Sequence, residues 1–180
     1  MSDRGFHVEL VVRPGIPDVL PSADCRVVLE AALTAAAAPR GAGVSLTLAD
    51  DAELAELNAR HMHKPGPTDV LSFPLLPTSA FPAHPGQDPA ARSERGPFVL
   101  PPGEPPHLGD IVVSVERAIA QAEEGRGGQT GDVHWSPADE LRLLISHGAL
   151  HLCGWDHAEP EEEAAMRALE RDLLRRPAAR

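Results

Sequence analysis

Hydrophobic positions recur along this chain with two different periods. Phe6, Val8, Leu10 and Val12 stand between His7, Glu9 and Val11, and Val44, Leu46 and Leu48 between Ser45 and Thr47. Period two predicts β-strands at both places. Thr68–Pro74 and Leu108–Ser114 predict a third and a fourth strand. Helical spacing falls between and after them. Ser22 is placed to cap a helix through Val27, Val28, Ala31, Ala32 and the alanine run 35–38, which Pro39 and Gly41 stop. Asp50, with Glu53 as capping-box partner, opens a second helix with Leu54 and Leu57 on its buried face, fading near Met62. Ser114 caps a third helix from Val115 to Glu124.

Ser136-Pro137-Ala138-Asp139 combines a cap, a proline at the first helical position and an acid at the third, a strong helix start. Leu141, Leu144 and Ile145 form the apolar side of that helix. A last helix opens at Pro160. Glu161, Glu162 and Glu163 read as its solvated first turn, and Met166, Leu169 and Leu173 as its inward face. The order β-α-β-α-β-β-α-α-α predicts an α/β (α+β) fold, one domain over residues 1–180 with a small mixed sheet of about four strands packed by helices. Residues 75–107 are dense in proline, glycine, alanine and serine and read as a long surface loop inserted in that domain. Gly125–Gly131 is glycine-rich but lacks the spacing of a phosphate-binding loop.

Composition narrows the class. No run reaches the ~20 apolar residues of a membrane span, so no membrane partner is expected. Met1–Phe6 lacks the basic start and apolar stretch of a signal peptide. Cys25 and Cys153 form no Cys-x-x-Cys pair and point to a reducing compartment, the cytoplasm. The net charge of −11 argues against a broad nucleic-acid-coating surface but not against a local basic cleft. The single lysine, Lys64, lies in Arg60-His61-Met62-His63-Lys64. That segment reads equally as a cationic helix end and as an anion contact.

The candidate chemistry sits in Ser146–His157. His147 and His151 are four apart, which on a helix brings their Cβ atoms to about 5–6 Å on one face. Gly154 is placed to end the helix in a left-handed turn and return the chain so that His157 supplies a third nitrogen. Three ligands with an open fourth position is the pattern of a catalytic zinc site; a fourth ligand, His134 or Cys153, would make it structural. Nitrogen ligands also suit nickel or copper. The spacing matches H-E-x-x-H-x-x-G-x-x-H of a zinc-peptidase class, but Gly148 replaces the glutamate that activates water. Asp69 and Asp110 could orient a ligand histidine, but backbone roles are the preferred readings; Asp156 reads equally as an orienting carboxylate and as a turn residue. No general base is legible.

Pro67–Pro74, Leu108-Gly109-Asp110-Ile111 and the histidine motif together resemble the YbeY family of bacterial rRNA maturation factors, from the first strand to the last helix apart from the 75–107 loop. The resemblance implies a metal-dependent, single-strand-specific endoribonuclease acting in 16S rRNA 3′-end maturation and ribosome quality control. It implies one zinc per chain on His147, His151 and His157. It implies rRNA and the small ribosomal subunit as partners, with Arg60, His63 and Lys64 as candidate RNA contacts. Two departures stand out: Trp155 where the family motif usually has tyrosine, and Met62 where many members carry an arginine linked to activity. The second keeps open a non-catalytic, zinc-stabilised ribosome-assembly factor; a peptidase-like metallohydrolase is the third alternative. Oligomeric state is not legible.

Overall fold

Four strands form one sheet in the order β1 (His7–Val12), β2 (Gly43–Ala49), β4 (His107–Ser114), β3 (Val70–Pro74). The computed structural model describes residues 5–89, 105–125 and 135–175. β1 and β2 pair parallel, as do β2 and β4, and β3 runs antiparallel to β4, so the sheet is mixed as expected. The central strand β4 has buried residues on both faces, which explains its unbroken apolar run Ile111-Val112-Val113. Five α-helices accompany the sheet among the described residues: α1 (Ser22–Ala35), α2 (Asp51–Leu57), α3 (Val115–Glu123), α4 (Pro137–Leu152) and α5 (Pro160–Arg175).

The main core lies on one face of the sheet. Val44, Leu46 and Leu48 of β2 and Leu108, Ile111 and Val113 of β4 meet Leu29 and Leu33 of α1 and Leu144 and Ile145 of α4. Each such buried aliphatic side chain contributes roughly 1.5–3 kcal/mol. A smaller cluster, Ala49, Leu54, Leu71 and Val112, joins the sheet to α2. With almost no aromatics in the core, shape has to be met by aliphatic packing, and backbones approach closely. Gly109 (φ +137°) shows how closely: a Cβ there would lie 2.2 Å from the Phe73 carbonyl oxygen of β3.

The caps are as the motifs predict in three of four cases. Asp50 accepts from the Glu53 amide at 2.8 Å, Ser114 from the Arg117 amide at 3.1 Å, and Ser136 and Asp139 close a reciprocal capping box. The Glu53 carboxylate does not turn back to its own helix; it takes the guanidinium of Arg13 in two hydrogen bonds of 2.9 and 2.7 Å. Ser22 is not a cap. Pro21 holds that position with φ −53°, and Ser22 is the first helical residue. The ring already presets the entry angle, so the serine hydroxyl is not needed. At the other end α1 stops at Ala35, before the alanine run is used up. Ala37 takes φ +54°, and the Ala38 and Ala37 amides donate to the Leu33 and Thr34 carbonyls.

The described part of the 75–107 loop is not a bare surface loop. Residues 78–80 form a 3-10 turn, Phe81 is buried in the core and His84 is buried beside it in sequence. Residues 90–104, and 126–131 of the glycine-rich loop, lie outside the described residues. Among the described residues no helix is long and apolar enough to cross a membrane.

Both thiols are free and buried. Burial pushes the Cys25 thiol up to about 11, helped by Asp24 and Asp18, and the Cys153 thiol up to about 12. Raised pKa values mean that the folded state keeps protons that the unfolded chain releases above its usual thiol value. Stability from these groups is therefore full below that value and is lost as pH rises through the folded ones. Denaturant midpoints measured from pH 8 to 11 should fall in the upper half of that range. Alkylation at pH 8 should modify neither thiol until the protein is unfolded.

Candidate metal centre

The last two turns of α4 carry His147 and His151. Their Nε2 atoms face each other at 2.9 Å. The helix ends at Leu152, and Gly154 takes φ +81°, the left-handed conformation its place in the motif predicts. The Trp155 amide donates to the Leu150 carbonyl and the Gly154 amide to the His151 carbonyl, each at 3.1 Å, so the reversal is a Schellman turn. Asp156 then accepts from the His157 amide at 2.8 Å, a turn role. The result brings the His157 ring to 5.5 Å from that of His147 and 5.1 Å from that of His151. One ligand atom from each of the three histidines lies within 4.8 Å of the others, so the cluster can hold one metal ion.

The proton positions fit such an ion. His147 donates its Nδ1–H to a Glu170 carboxylate oxygen at 2.7 Å, which turns Nε2 toward the cluster. Desolvation, followed by the neighbouring His147 and His157, lowers the His151 pKa to about 4, so this imidazole is neutral near pH 7. The two Nε2 atoms, 2.9 Å apart, are close enough either to share a proton or to bind one ion between them. His157 is exposed, and among the described residues its side chain has ring contacts but no hydrogen bond. No fourth histidine, cysteine or carboxylate joins the cluster among the described residues. Cys153 is buried away from it as a small hydrophobe, and His134 lies outside the described residues.

Glu170 is the residue that motif reading missed. Asp69 accepts from the Val70 amide at 2.9 Å, the backbone role expected of it, and from Gln121 at 3.1 Å, while also lining the cavity beside His147 and His157; the Asp110 carboxylate is exposed near His107. The carboxylate that orients a ligand comes from α5. A signal was present. Glu162, Met166, Glu170 and Leu173 lie on one helical face, so two acids share the apolar stripe. Both are buried and both meet a histidine, Glu170 with His147 and Glu162 with His84. The expectation that Glu161–Glu163 is a wholly solvated turn is thereby corrected at Glu162. Glu170→Ala should weaken zinc binding about 10–100-fold, measured against a chromophoric chelator, because the His147 ring loses its tautomer and its aim.

The cluster opens on a cavity lined in part by Leu143, Met166, Arg167, Glu170 and Arg171. Arg60, His63 and Lys64 do not line it. They are exposed on a π-helical turn, Asn58–Met62, and just beyond it, where Arg60 pairs with Glu56 and His63 takes a left-handed φ of +55°. Buried Asn58 holds this turn by donating to the Gly66 carbonyl at 2.9 Å. His61 packs edge-on against Phe73 of β3 at 5.1 Å.

Gly148 settles what the peptidase-like spacing means here. Its Cα faces the sheet, where a Cβ would lie 2.7 Å from Ile111 Cγ2 and 3.1 Å from Val70 Cγ2. Its carbonyl accepts from Ser72 Oγ at 3.0 Å. The position next to the first histidine serves helix–sheet packing and leaves no room for a water-activating glutamate.

An open three-histidine centre at the end of a helix laid across a mixed sheet is the class of site this fold builds. A family model described as Endoribonuclease YbeY matches residues 21–177. The curated Endoribonuclease YbeY of Symbiobacterium thermophilum is 42% identical over 151 residues, covering 83% of this chain and 81% of that protein. That of Thermobifida fusca is 41% identical over 133 residues, 74% of this chain and 70% of that protein. The solution structure of TM1509 from Thermotoga maritima superposes with a TM-score of 0.52 at 19% identity, over 93% of this chain and 88% of that one, and shows the same fold. The chain belongs to the YbeY family of endoribonucleases.

Proposed function

We propose that the chain is a zinc-dependent, single-strand-specific endoribonuclease that works in the cytoplasm on rRNA, at 16S 3′-end maturation and in ribosome quality control. The observation that carries the catalytic reading is the open side of the cluster: three imidazoles and no fourth ligand among the described residues, with His147 and His157 lining a cavity whose wall also holds Arg167 and Arg171 beside Asp69, Glu163 and Glu170. Zinc held there by His147, His151 and His157 would supply a Lewis acid for a phosphodiester. The chain's own residues do the rest. His147, His151 and His157 present one ring nitrogen each. Glu170 holds the Nδ1 proton of His147 and so fixes which nitrogen faces the ion. The attacking group, a water or the ribose 2′-hydroxyl, is left open by this arrangement.

Arg171 is the proposed seat for a substrate phosphate. Nine arginines are described, and Arg171 alone among them has no hydrogen-bond or ion-pair partner; Arg167 beside it is held by Glu163 at 2.6 Å. On a chain of net charge −11, an uncommitted guanidinium in the wall of the histidine cavity is a local anion site. Arg60, His63 and Lys64 are a second, outlying RNA contact. The test is cleavage of a single-stranded RNA by wild-type protein after chelation and after zinc is restored. Arg171→Ala should raise KM about 10-fold, the loss of one charge-assisted contact, with zinc content and kcat unchanged. RNA left intact by zinc-loaded wild type would refute the nuclease reading and favour the assembly factor.

A further inference from the structure

Of the three ligand histidines, only His157 has no side-chain hydrogen bond to hold it among the described residues. Its place depends on the backbone of residues 153–160. That turn is gripped from outside by residues 78–87, within a stretch whose composition promised no structure. Thr78 lies against Gly154, so close that a Cβ on the glycine would be 3.0 Å from the threonine methyl. Gln87 Nε2 donates to the Gly154 carbonyl at 3.4 Å. The His84 ring stacks on Trp155 at 4.2 Å with an interplanar angle of 10°. The same ring hydrogen-bonds Glu162 through Nε2 at 2.6 Å. Gly86 (φ +79°) lets the strap touch the α5 backbone; a Cβ there would be 2.3 Å from the Glu162 nitrogen.

The strap thus holds both flanks of His157, two residues before it at Trp155 and five after it at Glu162. His84 is deeply buried, and its Nδ1 has no partner. A histidine buried with half its polar capacity unused is not there for hydrogen bonding alone; its ring face is what the stack uses.

We propose that His84 is a positioning residue: the stack of its ring on Trp155 sets the turn that delivers His157, so the strap tunes metal affinity without touching the metal. This rests on the zinc reading of the three-histidine cluster. The experiment measures zinc affinity by chelator competition, and the cobalt absorption spectrum, for wild type, His157→Ala, His84→Leu and His84→Phe. Leucine and phenylalanine both fill the slot and both leave Glu162 without its partner, so their difference isolates the ring. We expect His84→Leu to lose about 10–100-fold in zinc affinity, in the range of other groups that orient ligands, and His84→Phe to recover most of it.

Equal zinc affinity in His84→Leu and wild type, or equal loss in both His84 variants, would overturn the inference. Failure of wild type to bind zinc would instead overturn the reading beneath it. A measurement on wild type guards against a variant that does not fold. Coupling is reciprocal, so zinc should slow amide exchange in residues 78–87 as well as in 153–157. Protection confined to 153–157 would refute the strap's role.

Discussion

His151→Ala should abolish both zinc binding and RNA cleavage while leaving the metal-free fold intact. The loss in zinc affinity should exceed the ~10–100-fold typical of groups that merely orient a ligand, because a donor itself is gone. The fold should survive because His151 is not a core residue. It is half-buried and neutral, with its pKa near 4, and its ring contacts are with His147 and His157, not with the apolar core. Zinc-free His151→Ala should therefore melt close to zinc-free wild type. Added zinc should raise the wild-type melting temperature alone, by an amount corresponding to about 4 kcal/mol at 1,000 times Kd. Parallel zinc titrations followed by circular dichroism, with cleavage assays on the same samples, check each part. A His151→Ala protein that cannot fold without metal would turn the site into a structural one.

Gly148→Glu, the substitution that would restore the peptidase pattern, should destroy the fold and create no peptidase. The added Cβ would meet Ile111 Cγ2 at 2.7 Å, Val70 Cγ2 at 3.1 Å and Ser72 Oγ at 3.2 Å, all on the strands beneath the helix. Overpacking of this kind costs about 1–3 kcal/mol. A carboxylate pressed into that seam without a partner costs several kcal/mol more. The sum approaches the ~5–15 kcal/mol on which a domain depends. Gly148→Ala meets only the first cost, and about 1 kcal/mol of it is returned by helix propensity. It should fold with a denaturant midpoint lowered by the equivalent of at most about 2 kcal/mol. A soluble, native-like Gly148→Glu protein would show that α4 does not sit on β3 and β4 as described.

Motif and period carried the reading a long way at the local level. The four strands, the five helices and their order were legible because each is a run of residues whose spacing matches one backbone geometry. The left-handed Gly154, the capping box of Ser136 and Asp139 and the shared face of His147 and His151 were legible for the same reason. These are interactions over four residues or fewer, set by helix geometry before any packing occurs. Ser22 was misread because two adjacent residues can each start a helix, and only the backbone path decides between them.

What the tertiary structure alone decided involves partners far apart in the chain. Glu170 reaches His147 across 23 positions, and His84 reaches Glu162 across 78. Nothing in local spacing links them, although two acids in the apolar stripe of α5 hinted that something buried had to meet them. The 75–89 segment looked structureless because its order comes from Trp155 and α5, not from a period of its own. Gly148 is the sharpest case. Its sequence neighbours mark it as a missing catalytic glutamate, whereas the sheet beneath the helix makes it a packing contact. Chain order determined which groups could form a metal site; the way α4, α5 and the strap close on one another determined how each is held, because contacts between distant segments exist only once the chain has packed.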